Sequence, residues 1–145
     1  MTTIAYKDGV LAADSGLCGG GCMVGTVDKI ARNSCGDLAG AAGDAAYHAQ
    51  FIAWFLKAEE GDPPVAVESE DSFDRGIIFR RTGQIEVFEP RGRFPISAPY
   101  YAIGSGRAEA LGALHAGASP EQAVLAAIEH DPHSKGPVLV LRACE

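Results

Sequence analysis

The chain has no apolar stretch near the roughly 20 residues that span a bilayer. Its start, Met1-Thr2-Thr3-Ile4-Ala5-Tyr6-Lys7-Asp8-Gly9, lacks the basic segment and apolar run of a secretory signal. A soluble, cytoplasmic protein without a membrane partner is the expectation. Basic residues are few, 12 Lys+Arg against 19 Asp+Glu for a net charge of −7, which argues against a nucleic-acid partner. Cys18, Cys22, Cys35 and Cys144, in a chain with no export signal, are expected to be reduced thiols. The run Cys18-Gly19-Gly20-Gly21-Cys22 lacks the two-residue spacing of a zinc knuckle and has no second pair to match it. No Gly-Lys-Ser/Thr follows those glycines, so a phosphate-cradling loop is excluded. No metal and no cofactor is expected. Internal repeats, low-complexity segments and a βαβα alternation are also missing, which disfavours Rossmann and TIM-barrel arrangements.

What is present fits one globular domain over 1–145: 145 residues, 47% hydrophobic and 21% charged. Strand-like stretches at 3–7 and 10–14 flank Asp8-Gly9, a hairpin signal. Residues 15–26 carry five glycines and are expected to be loop. Val27–Asn33 and Asp37–Ala42 suggest two further strands. Asp44–Glu60 has no Gly or Pro and places Phe51, Ile52, Trp54, Phe55 and Leu56 at helical spacings, with Gly61 as a stop. Its aromatic residues are expected to be core. The acidic, Pro-containing segment Asp62–Asp74, with Glu68-Ser69-Glu70-Asp71, suggests a surface connection. Arg75–Arg81 and Gln84–Glu89 predict a second hairpin, Pro90–Pro99 a loop and Tyr100–Ile103 a strand. Arg107–Ala116 predicts a helix, and Ser119-Pro120-Glu121-Gln122 announces another that runs to about His130. Pro137–Arg142 predicts a closing strand. Helices on mostly antiparallel sheets, an α+β class, follow from this order.

The richest chemistry lies at the N-terminus. Removal of Met1 is favoured by a small second residue and would leave Thr2 with a free α-amine beside its own hydroxyl. A hydroxyl needs a base to become a nucleophile at neutral pH, and an α-amine with a pKa of about 7.7–8.0 can take that proton. Alternatively, Thr2 merely opens an edge strand. A two-residue turn at Asp8-Gly9 would set Asp14 across from Thr3, and a three-residue turn would set it across from Thr2. Asp14 ends an apolar strand and needs a partner, unless it only initiates a turn with Ser15. Lys29 either points to solvent or pairs inward with Asp14, where its cation would depress the pKa of a neighbouring amine.

Met1-Thr2-Thr3-Ile4, Ala13-Asp14-Ser15, Lys29, Ala39-Gly40-Ala41-Ala42-Gly43-Asp44 and Gly104-Ser105-Gly106 resemble, in that order, the motifs of proteasome β-subunits and of HslV, which are N-terminal-nucleophile hydrolases. The resemblance covers nearly the whole chain. It implies a four-layer αββα sandwich of two mostly antiparallel sheets between helix layers, with one helix of the family missing where 62–74 forms a loop. It makes Thr2 the nucleophile, with Asp14 orienting Lys29, the Gly40 N–H stabilising the oxyanion and Ser105 near the amine. Asp131-Pro132-His133-Ser134-Lys135-Gly136 resembles the Asp-x-x-Ser-x-Gly of the family, so Asp131 and Ser134 become supporting residues. Leu38 takes the place that shapes the pocket for the substrate side chain and favours apolar residues. A homo-oligomer that forms rings, an AAA+ unfoldase ATPase and an unfolded polypeptide substrate are implied as partners.

Three function classes therefore stand: a threonine peptidase, a non-catalytic proteasome-like subunit, and a small-molecule amidase on the same fold. His130 and His133 flank Asp131 and could face a cation, but a helix end before Pro132 accounts for them more simply.

Overall fold

The computed structural model describes residues 2–19, 21–70 and 72–143. Met1, Gly20, Asp71 and Cys144, which enter the sequence argument above, lie outside the described residues. The chain runs β1 (Thr3–Lys7), β2 (Val10–Ala13), β3 (Gly16–Gly19), β4 (Cys22–Thr26), β5 (Ile30–Arg32), β6 (Leu38–Ala42) and α1 (Ala45–Leu56). It continues with β7 (Arg75–Phe79), β8 (Ile85–Glu89), β9 (Gly92–Ile96), β10 (Tyr100–Gly104), α2 (Arg107–His115), α3 (Pro120–His130) and β11 (Leu139–Arg142). It is an α+β arrangement in which the strands form sheets of order β10-β1-β2-β11 and β5-β6-β7-β8-β9 and a separate β3-β4 pair. Every strand pairing among the described residues is antiparallel.

Alternation along the strands sorts the apolar residues into three clusters. Ile4, Leu11, Ile103 and the β5–β8 residues Leu38, Ile77, Phe79 and Val87 pack together, joining the two larger sheets. On the other face of β6 and β7, Ala39, Ala41 and Ile78 meet Tyr47, Phe51, Trp54 and Phe55 of α1. Ala5, Ala12 and Ala102 meet Leu114, Ala123 and Val124 of α2 and α3. Gly76 lets α1 approach: a Cβ there would lie 2.4 Å from Phe51 Cε2.

The first hairpin follows its local code. Asp8 and Gly9 both take positive φ, 51° and 75°, as a two-residue turn that matches strand twist requires. Ile4 then pairs with Ala13, and the next step sets Asp14 across from Thr3. The α3 start is the expected capping box, with Ser119 Oγ accepting from Gln122 N and Gln122 Oε1 accepting from Ser119 N.

Four expectations need correction. Residues 15–26 are the β3–β4 hairpin rather than a loop, carried by Leu17, Met23, Val24 and Thr26 and anchored where Ser15 N and Gly16 N donate to the Lys135 carbonyl. Pro90–Pro99 contains β9, an edge strand paired among the described residues with β8 alone, where Pro95 removes no needed donor. Helix α1 stops at Leu56, four residues before Glu60, because Ala58 and Glu59 turn to φ 58° and 56°. The Glu59 carboxylate is held there by Arg80 at 2.5 and 2.8 Å. Lys29 lies just before β5, not within a longer strand. Among the described residues of 57–74 no helix forms, and no helix is long and apolar enough to cross a membrane.

Candidate active site

The turn at Asp8-Gly9 decides the geometry at the chain's beginning. Asp14 N donates to the Thr3 carbonyl at 3.1 Å, and Thr3 N returns a bond to Asp14 Oδ1 at 2.9 Å. Lys29 Nζ lies 3.1 Å from both Asp14 oxygens, and Lys135 N donates to Oδ2 at 3.0 Å. Lys29 and Asp14 are 2% and 1% exposed, so the inward alternative holds and the ammonium does not face bulk water. Burial pushes the Lys29 pKa down, and the attraction of Asp14 offsets only part of that.

A second set of bonds reaches Thr2 through Ser105. Thr2 N donates to Ser105 Oγ at 3.2 Å, and Ser105 Oγ donates to Asp131 Oδ2 at 2.7 Å. The same carboxylate oxygen accepts from Ser134 Oγ at 2.6 Å, and Ser134 Oγ meets Thr3 Oγ1 at 2.6 Å. Burial alone would raise the Asp131 pKa, but the bonds from Ser134, Ser105 and the His133 N–H outweigh it and hold it low. Thr2, Asp14, Lys29, Ser105, Asp131 and Ser134 thus belong to one hydrogen-bonded chain around Thr2 and Thr3. Glycines permit this closeness: a Cβ on Gly104, whose φ is 100°, would lie 2.0 Å from the Thr2 carbonyl oxygen. One on Gly106 would lie 2.0 Å from Thr3 Oγ1.

Thr2 and Lys29 line a cleft of about 840 Å³, together with Gly43, His48, Ser105 and His133. Asp14, Asp131 and Ser134 stand behind the cleft in the hydrogen-bonded chain, while two expected residues belong to neither. Gly40 is buried in mid-β6, where a Cβ would meet Ile4 and Ile30 at 2.9 and 3.0 Å, and Leu38 lies in the inter-sheet core. Both share the β6 face that the alternation turns away from α1. Of the two glycines in the 39–44 run, the one that lines the cleft is Gly43, in the β6–α1 turn with φ 113°. The side chain preceding that turn is Ala42, not a large apolar group.

His48, one turn into α1, also escaped the sequence argument; a histidine near the start of an apolar helix was its only signal. Burial holds its imidazole below the usual range, and the Lys29 ammonium adds to the effect against the opposing pull of Asp44, Asp14 and Asp74. His133 borders the cleft, and among the described residues no group of His, Cys, Asp and Glu is arranged to hold a metal. Cys18, Cys22 and Cys35 are free thiols.

A fold of this class has solved relatives in shape. The structure of Thiobacillus denitrificans BPH, a bacterial proteasome homologue, in complex with epoxomicin matches with a TM-score of 0.67 at 23% sequence identity, covering 99% of both chains. A second structure of T. denitrificans BPH matches with a TM-score of 0.65 at 23% identity, covering 99% of this chain and 98% of that one. No protein-family model matches the chain, and no curated protein matches it. The fold is proteasome-like.

Proposed function

We propose that the chain is a threonine-type N-terminal-nucleophile hydrolase that cleaves unfolded polypeptides through an acyl-enzyme. The observation that carries the reading is the placement of Thr2, with Ser105 on its nitrogen, in one cleft with the buried Lys29 of the Asp14 pair. Once Met1 is removed, the Thr2 α-amine takes the proton of its own hydroxyl, and Oγ1 attacks the scissile carbonyl. The C–N bond then breaks, the leaving amine carries off the proton, and water hydrolyses the ester to regenerate Thr2. The Lys29 cation favours the neutral amine, while Ser105 and Asp131 hold the amine in place. The oxyanion donor is the Gly43 N–H in place of Gly40, because Gly43 borders the cleft. Support for the class comes from T. denitrificans BPH, solved with epoxomicin, a threonine-protease inhibitor.

The finer architecture belongs to the same proposal: a four-layer αββα sandwich, with α1 outside one sheet, α2 and α3 outside the other, and the second family helix replaced by the loop at 62–74. So do the homo-oligomeric ring, the AAA+ unfoldase partner and a cytoplasmic setting. The second reading is a non-catalytic subunit: with Met1 attached, the Thr2 nitrogen would be an amide and no base. Intact mass before and after epoxomicin, with turnover of fluorogenic peptides, decides between them. Loss of Met1, one epoxomicin adduct and turnover abolished in Thr2→Ala are the expected outcomes. Retained Met1 with neither adduct nor turnover establishes the scaffold, and turnover of small amides but not of peptides points to an amidase.

A further inference from the structure

Among the described residues, His48 Nδ1, Ser72 Oγ and Arg75 Nε are buried without a hydrogen-bond partner, and all three side chains line the cleft. Such orphans are costly and call for an explanation. His48 is 3% exposed. Arg75 opens β7, where its Nη2 meets Glu89 at 2.9 Å and its guanidinium lies 5.1 Å from the Phe73 ring centre, while Nε has no partner.

The charges agree with the orphans. In a chain of net charge −7, the described residues lining the cleft include Lys29, Arg75 and Arg107 against Asp44 as the one acidic residue among them. The Asp44 carboxylate is engaged as the α1 cap, accepting from Ala46 N at 3.0 Å. Arg107 donates to the Gly104 carbonyl at 3.0 Å.

We propose that the His48–Arg75 wall of the cleft is a subsite for a carboxylate, the side chain of a Glu or Asp residue on the acyl side of the bound polypeptide. This replaces the apolar preference expected from Leu38, and only its position relative to the scissile bond rests on the hydrolase reading. A carboxylate supplies acceptors for Arg75 Nε, for the Ser72 hydroxyl and for His48 as the Nδ1–H tautomer. An apolar side chain would leave those groups unpaired, and a lysine would bring a like charge beside Lys29 and Arg75. Discrimination therefore comes from penalty as well as attraction.

The test is fluorescence anisotropy of labelled, C-terminally amidated peptides differing at one residue, Glu, Gln, Leu or Lys, on the Thr2→Ala protein. Turnover of the matching fluorogenic series by wild type is measured alongside. The Glu peptide should bind at least about tenfold more tightly than the Gln or Leu peptides. Arg75→Gln and His48→Gln should erase most of that ratio, and Arg75→Lys should restore part of it, with thermal unfolding reporting that each variant folds. Leu binding as well as Glu, or a ratio unmoved in folded Arg75→Gln and His48→Gln, overturns the subsite. A preference seen only for a Gln peptide with a free C-terminal carboxylate overturns its assignment to a side chain. Glu-selective binding without turnover of any peptide supports the subsite and overturns the hydrolase reading alone.

Discussion

Lys29 and Asp14 show how one buried pair can be costly and still indispensable. Removing two charges from water costs several kcal/mol per ion, which their mutual attraction recovers only with good geometry. Here Asp14 also accepts from Thr3 N and Lys135 N, so its charge joins the chain's beginning to the 131–137 segment. An apolar residue at position 14 would orphan both donors. Lys29→Met leaves the carboxylate its N–H bonds but no cation. A loss of about 3 kcal/mol in urea unfolding is the expected result, at the low end of the range for breaking a buried pair. Peptide turnover should fall far more than stability explains, because the Thr2 amine loses the neighbouring charge. Wild-type turnover in folded Lys29→Met would remove Lys29 from the mechanism.

At the scale of elements, the site is positioned by contacts that tolerate little added volume. Helix α1 carries His48 and Phe51 on one stretch, and Phe51 sits against Gly76 of β7. Gly76→Ala should therefore cost about 1–3 kcal/mol by overpacking, seen as a lower denaturation midpoint with an unchanged slope. His48 itself makes stability depend on pH. Its folded pKa is held below the usual 6.5, chiefly by burial, so as pH falls past 6.5 the unfolded chain takes up a proton that the native imidazole refuses. Stability is lost in that direction. Thermal midpoints between pH 7.5 and 5.5 should fall more steeply for wild type than for His48→Gln, and parallel slopes would show that the imidazole is protonated in the fold. These elements also mark what the sequence discloses. The Asp8-Gly9 turn and the Ser119 capping box are local codes, so the first hairpin and the α3 start were legible, while the register was narrowed only to Asp14 opposite Thr3 or Thr2 until the turn length was fixed. The β3–β4 hairpin and β9 were not, because Gly and Pro there signal breaks while the pairing is decided by Lys135 and by β8. Gly40 and Gly43 occupy one short glycine–alanine run. Only the pairing of β6 with β7 sets where the strand ends, and with it which glycine reaches the cleft.

For the whole molecule, an open cleft on a 15.1 kDa chain would leave a peptidase unrestrained, so the proposed function needs the proposed ring assembly to limit access. Val24, Val65, Val67 and Leu56 are exposed large apolar residues that a second copy could cover. Against association stands a charge of −7 per copy, whose repulsion is screened as the Debye length shrinks to about 10 Å at 0.1 M salt. Apolar contact should persist under the same change. Sedimentation should accordingly show a discrete species at a multiple of the chain mass, more populated at 300 mM than at 50 mM salt. Val67→Asp or Val24→Asp should shift it toward monomer according to which surface is covered. A monomer at every salt and protein concentration would leave no enclosing chamber, and selectivity would then have to reside wholly in the cleft.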